Sequence, residues 1–276
     1  MPEEQQELVR YERQERTGIV TLNRPEKLNA INLAVRDQLV TAFRLADEDP
    51  ATSVVVLRAE GRSFCVGYDI GADPEKDAWR RDALRWHEHL GRAVAMEMTP
   101  WDMRKPVVAS VQGHALGGGC ELVMFCDLAI AADNALFGEP EVRFSDTGPA
   151  FVMPWIIGQK RARELLYFGD SIDAHTAREY GLVNRVVPLA ELRDATMAYA
   201  RRLALISPEA LTRTKLALAR GADAAGFRNA IRAGLDIIAP LYAADTEFGR
   251  EFFERAEREG LPAALKWRSG QFRETP

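Results

Sequence analysis

Segment 113–121, Gly-His-Ala-Leu-Gly-Gly-Gly-Cys-Glu, concentrates the residue types that could do chemistry. Three successive glycines stand between a strand-like run, PVVASVQ, and the apolar helix CELVMFC. Such a turn lets backbone approach a ligand closely and leaves the first helical N–H groups unpaired. Those donors, helped by the helix dipole, stabilise negative charge. Glu121 falls in the first turn of the same helix. It reads equally as a carboxylate that steadies the helix start, worth a few tenths to about 1 kcal/mol, and as an acid or base. Glu141, in FGEPEV, follows an apolar strand at a proline turn, where a solvated turn carboxylate is the ordinary outcome, and Glu139 shares it. A second glycine-containing loop, Arg-Ser-Phe-Cys-Val-Gly-Tyr-Asp-Ile (62–70), follows a β-branched run. Loops after the carboxyl ends of strands are where α/β folds place ligands, so Tyr68 and Asp69 are either ligand neighbours or a core aromatic and a turn residue.

Several other chemistries are excluded. Leu122 stands where a dinucleotide fingerprint needs its third glycine after Gly117 and Gly119, and no Lys-Ser/Thr follows the turn as in a phosphate-binding P-loop. GxSxG is absent, so a serine-hydrolase elbow is out. No HExxH occurs, His87 and His89 are two apart and point to different faces of a helix, and His114 and His175 stand alone. Cys65, Cys120 and Cys126 lack metal-ligand spacing and read as buried free thiols of a reducing compartment. No metal site is expected.

The elements that must position the two loops are legible. LVRYERQE, Thr17-Gly18 and GIVTLNR suggest a hairpin. Asn32 can cap a helix through Leu33, Val35, Leu39, Val40, Phe43 and Leu45. SVVVLRA (53–59) reads as a strand buried on both faces. A helix is expected from about Ala78 to Met98, then a strand from Pro106, the glycine turn, the CELVMFC helix, the strand DLAIAAD and the short strand ALFGEPE. Arg161 to Phe168 and Ala174 to Tyr180 read as short helices, LVNRVVPL (182–189) as a short strand, and helices follow at about 190–205, 208–220, 224–238, 244–258 and 261–268. The natural division is a core over 1–205 and a helical region over 206–276. With 276 residues, 47% hydrophobic and 28% charged, the chain has material for a sizeable soluble core. A net charge of −5 speaks against nucleic acid as the main partner. No apolar run approaches the ~18 residues of a membrane span, and the opening MPEEQQELVR is neither a secretory nor an Arg-rich transit signal; a cytoplasmic protein is expected.

Taken in order, these segments resemble the crotonase superfamily, the enoyl-CoA hydratase/isomerase family. The similarity runs through Thr21-Leu22-Asn23-Arg24-Pro25 with Leu28-Asn29-Ala30, Ser63 to Ile70, His114 to Glu121, Asp127, Phe137-Gly138-Glu139-Pro140-Glu141 and Ala174 to Val187. The resemblance implies an α/β fold, a spiral of ββα units followed by a C-terminal helical region used for trimer contacts, in a homotrimer or a dimer of trimers. It implies an acyl-CoA thioester as substrate and no cofactor. The backbone N–H groups of Tyr68 and Gly118 would form an oxyanion hole for the thioester carbonyl. Lys27, Leu28, Ala30, Val66, Asp69, Ile70 and Gly117 would meet the bent coenzyme A portion. Glu121 and Glu141, twenty residues apart as in the family's hydratases, would hold a water and act as the acid/base pair. The activity implied is hydration of a 2-enoyl-CoA to a 3-hydroxyacyl-CoA. Isomerisation, dehalogenation and thioester or C–C hydrolysis share the scaffold, as does a non-catalytic or RNA-associated role. The two carboxyls and the acidic net charge favour hydration.

The chain departs from the family pattern after Glu141. Residues 142–155 keep Gly148 but continue Pro149, Ala150, Phe151 where a glycine-rich stretch is usual, and Tyr68 is bulkier than the usual alanine. Both changes touch the acyl pocket the resemblance implies, and Trp86 with the helix His87 to Met98 could add walls to it. Asp146 reads as a solvated turn residue.

Overall fold

The computed structural model describes residues 6–71 and 78–272. The opening MPEEQ, the stretch 72–77 beyond the second glycine loop, and 273–276 lie outside the described residues. Two sheets carry the fold. The larger has the order β1 (Val9–Gln14), β2 (Thr17–Leu22), β3 (Val54–Ala59), β4 (Val107–Val111), β6 (Leu128–Ala132), β9 (Arg185–Val187), antiparallel between β1 and β2 and parallel thereafter. The smaller holds β5 (His114–Leu116), β7 (Leu136–Gly138) and β8 (Ser171–Asp173).

The chain alternates between the sheets. β4 passes directly to β5 and then the helix Gly118–Phe125; β6 passes to β7 in the same way. After β3, residues 65–68 run along the edge of the smaller sheet, with Cys65 bridging Ala115 and Ile31 bridging Tyr68, before the helix Ala83–Glu97. Each turn thus lays one strand on the large sheet, one segment on the small, then a helix. This is the ββα spiral that the family resemblance implies.

The strand pattern explains the layers. Val55, Leu57, Val107, Ala109 and Val111 point into the main core with Phe43, Phe125 and Phe137. Their neighbours Val54, Val56, Val108 and Ile130 point the other way, onto Met197 and Ala200 of the helix Leu192–Leu203. Alternate side chains of a strand face opposite sides, so SVVVLRA is apolar throughout because both faces are covered. Asn32 caps Leu33–Glu48 by accepting from the Val35 N–H at 2.9 Å, and Asp82 caps Ala83–Glu97. That helix therefore begins later than its apolar pattern suggests, where a carboxylate can take its free N–H groups.

Some expectations need correction. Three residues that read as part of the glycine turn form β5, because they bond to Cys65 on one side and pair with β7 on the other. Ser171–Asp173, unread as a strand, completes that sheet, and LVNRVVPL shrinks to Arg185–Val187. Three-residue strands owe their existence to neighbours and carry no periodicity of their own. Beyond β9 the described chain is helical, and the helix Phe227–Ala243 returns to pack on Ala83–Glu97 through Leu90, Leu235, Ile238 and Ala239.

Candidate active site

The two glycine loops meet at the edge of the small sheet. Gly117 donates to the Gly138 carbonyl at 2.9 Å and turns the chain at φ 52° and ψ −130°, a conformation open to glycine. A Cβ there would overlap Glu141 Oε1, so the missing side chain is what admits the Glu141 carboxyl. Gly67 lies against Gly117 and Gly118. This brings the following residue, Tyr68, beside the start of the helix Gly118–Phe125. Among the described residues neither the Tyr68 nor the Gly118 N–H donates a hydrogen bond. Two unspent donors thus sit side by side.

Four glutamates converge on these loops. Glu121 comes from the first turn of Gly118–Phe125 and is fully buried; its Oε1 accepts the Ala150 N–H at 2.7 Å. Glu141 stands in the short 3-10 turn Pro140–Phe144 after β7 and is half-buried, with Oε2 shielded from solvent. Glu139, expected at a solvated turn, is buried. Glu97, at the end of Ala83–Glu97, is fully buried and accepts a hydrogen bond from the Tyr68 hydroxyl. Gly148 explains why residues 142–155 keep one glycine: a Cβ there would lie 2.6 Å from Glu139 Oε2 and 2.7 Å from Glu121 Oε1.

Asp146 also departs from the expectation of a solvated turn. It is half-buried, its N–H donates to the Glu141 carbonyl at 3.1 Å, and burial lifts its carboxyl to about 7 against the pull of Arg80. Tyr242, from Phe227–Ala243, donates to the Thr147 carbonyl at 2.6 Å and lies within the field of all these carboxyls except Glu139. Phe151, at φ 39°, lays its ring on Gly234 and joins Trp86 and Tyr242 in a small apolar cluster with Leu90, Leu235, Ile238 and Ala239. That is where the altered segment goes: Phe151 fills the seam between two helices.

None of the four glutamates has a cationic partner among the described ion pairs. Burial without a counter-charge disfavours the ionised form. Burial is accordingly the main cause that pushes Glu121 up to about 7 and Glu141 up to about 8, and neighbouring Glu121 adds to the rise at Glu141. Glu97 and Glu139 rise well above the ordinary carboxylate range for the same reason, reinforced by Glu121. The cluster therefore holds exchangeable protons near neutral pH, next to donors suited to an oxyanion. That combination serves acid/base chemistry alpha and beta to a carbonyl.

The residues expected at the coenzyme A portion share one edge. The Ile31 N–H donates to Gly67 at 2.9 Å, Val66 to Leu28 at 3.2 Å and Asp69 to Ile31 at 2.9 Å, drawing 28–31 alongside 66–69. Lys27 and Ile70 are exposed there, Leu28 and Val66 half-buried, and Ala30 buried. Asp69 accepts from Arg24 at 2.7 Å, which overcomes the cost of burial and holds its carboxyl below the ordinary value. Glu97 and Tyr242 went unnoticed in the sequence, although each lies on a helix's apolar stripe: Leu90, Val94 and Glu97 in one, Leu235, Ile238, Ala239 and Tyr242 in the other.

Comparison with known proteins shows the family. The family model described as enoyl-CoA hydratase/isomerase matches residues 12–255. A protein of Mycobacterium tuberculosis named probable enoyl-CoA hydratase is 34% identical over 273 residues, covering 96% of this chain and 98% of its own. A crotonyl-CoA hydratase of Syntrophomonas wolfei is 34% identical over 267 residues, covering 95% and 96%. The crystal structure of an enoyl-CoA hydratase/isomerase from Xanthobacter autotrophicus superposes with a TM-score of 0.91 at 33% identity, covering 96% of this chain and 98% of that one. This chain belongs to the enoyl-CoA hydratase/isomerase family.

Proposed function

We propose that the protein is an enoyl-CoA hydratase, adding water across the 2,3 double bond of a 2-enoyl-CoA thioester to give the 3-hydroxyacyl-CoA. The observation that carries this reading is the pair of unspent N–H donors at Tyr68 and Gly118 beside carboxyls that hold protons near neutral pH. Relatives named as hydratases, among them one for crotonyl-CoA, support it.

The thioester carbonyl accepts from the Tyr68 and Gly118 N–H groups. Ionised Glu121 takes a proton from water as its oxygen bonds to C3. Electron density moves through C2 onto the thioester oxygen, where two fixed donors stabilise it by several kcal/mol. Protonated Glu141 then delivers its proton to C2, and the proton gained by Glu121 returns the pair to its starting state. Lys27, Leu28, Ala30, Val66, Asp69, Ile70 and Gly117 line the coenzyme A side in this reading, with Lys27 exposed for a phosphate. The reaction moves protons only, so no metal or redox cofactor is part of the proposal, nor is a nucleic-acid or membrane partner.

Assembly as a homotrimer or a dimer of trimers, a division at 1–205 and 206–276, and a cytoplasmic location belong to the same proposal. Leu205, Ile206, Leu218, Ile237 and Phe248, exposed on or beside the C-terminal helices, support further subunit contact, and no described helix is long and apolar enough to cross a membrane. The test follows loss of the conjugated chromophore of short, long, branched and aromatic 2-enoyl-CoA thioesters, with products identified by mass spectrometry. Hydration product is expected. Isomerised or hydrolysed product alone, or turnover that survives Glu121→Gln and Glu141→Gln, overturns the reading.

A further inference from the structure

The proposed reaction uses two of the four buried glutamates and leaves Glu97 without a task. Glu97 is fully buried at the C-terminal end of Ala83–Glu97, and no cation meets it among the described ion pairs. Its Oε1 accepts from the Tyr68 hydroxyl and faces Gly118, where a Cβ would lie 2.9 Å away. It is therefore built into the two loops that carry the oxyanion donors. Its Oε2 and that of Glu121 are both shut off from solvent and meet no donor among the described residues, and the two carboxyls lie within each other's field. Two ionised carboxylates only accept, so neither can satisfy the other. One proton held between them would, and like charges in a dry site favour it.

We propose that Glu97 is a positioning residue held as a neutral carboxylic acid, which accepts from Tyr68 through Oε1 and donates its Oε2 proton to Glu121, keeping Glu121 ionised as the base. Both carboxyls are fully buried, and the proton resides on Glu97 because its surroundings carry more negative charge. Glu139 and Glu121 add negative charge around it, whereas the Ala150 N–H stabilises the ionised form of Glu121. The groups facing the dyad are Cys65 and Tyr68 from the second glycine loop, Cys120 from Gly118–Phe125, Glu139 and Glu141 from the turn after β7, and Tyr242 from Phe227–Ala243. The two phenol hydroxyls among them are already spent, Tyr68 on Glu97 and Tyr242 on the Thr147 carbonyl. Without Glu97's donor, Glu121 would lose the contact that lowers its proton affinity and would be protonated, idle as a base, at neutral pH. The inference rests on the hydration reading for its kinetic arm only.

The experiment compares full pH profiles of kcat/KM for wild type, Glu97→Leu and Glu97→Gln, alongside infrared difference spectra of the protonated-carboxyl stretch. Leucine keeps the volume and removes the donor; the acidic limb should move up by about one pH unit, with turnover at about pH 6 down roughly tenfold and the deficit shrinking toward the alkaline limb. Glutamine keeps a donor for Glu121 and an acceptor for Tyr68, so it should bring the limb back toward the wild-type position. At neutral pH, Glu97→Gln should remove a protonated-carboxyl band. An unmoved limb in Glu97→Leu, or a Glu97→Gln enzyme as impaired as Glu121→Gln, overturns the proposal. If Glu97→Leu does not fold, or wild type turns over no enoyl thioester, the infrared arm still decides: the absence of a Glu97 band at neutral pH overturns it, and its presence supports it.

Discussion

Two regions of this molecule hold charge in opposite ways. Beneath the large sheet, the Lys215 ammonium donates to Asp127 at 2.7 Å, to the Pro100 carbonyl at 2.6 Å and to the Lys105 carbonyl at 3.0 Å, while the same Asp127 oxygen accepts the Val107 N–H at 2.7 Å. All three donors of the ammonium are used and the charges are matched. At the loops, four glutamates cluster without an ion-pair partner among the described residues, and Glu97, Glu121, Glu139 and Glu141 each keep an oxygen that no described group satisfies. A folded chain pays heavily for unpaired buried carboxyls, so a site that gathers four of them is shaped for proton chemistry. The Asp127–Lys215 site is shaped for stability, tying Pro208–Ala224 to β4 and β6.

Substitutions can break this contrast. Glu121→Gln or Glu141→Gln should lower kcat by about 10²–10⁴-fold without lowering Tm, measured by chromophore loss and calorimetry. A fall in both would place these residues with the stabilising kind. Lys215→Met should do the reverse. Leaving Asp127 unpaired costs about 3 kcal/mol, at the low end for a buried pair because Asp127 keeps part of its surface in water. Tm should drop by roughly 6–12 °C with kcat per folded enzyme retained.

Gly148→Ala sharpens the comparison inside the pocket. Its Cβ must displace the carboxyls of Glu139 and Glu121, so turnover should fall about 10–100-fold for a stability loss of only about 1–2 kcal/mol. The pH dependence separates the regions again. Activity should be lost as pH falls through about 7, where Glu121 gains a proton, and as pH rises through about 8, where Glu141 loses one. Stability follows a different sign. Carboxyls whose folded values lie above their unfolded ones bind more protons when folded, so stability is fully present below about pH 4.5 and declines as pH rises through the folded values. Glu139→Gln should flatten that decline by up to ~1.4 kcal/mol per pH unit, read from urea midpoints.

The legible part of the site was local. Glu121 and the triple glycine lie in one nine-residue segment, and Tyr68 and Asp69 follow a strand whose unbroken apolar run announces two covered faces. Glu139 and Asp146 misled because a proline turn usually faces water; here Phe227–Ala243 closes over the turn through Tyr242 and Phe151. Glu97 was the hardest to see. Its place on an apolar helical stripe signals burial, but a stripe does not say what lies across from it.

By itself, the sequence determined the long strands and helices and where the backbone could admit a carboxyl, because periodicity, caps and glycine act over a few residues; the three-residue strands β5 and β8 depended on neighbours brought up by folding. Only the tertiary structure decided which carboxyls share a dry pocket. Proton affinity depends on the charges and solvent a group meets after folding, and Glu97, Glu121 and Tyr242 meet from positions far apart in the chain.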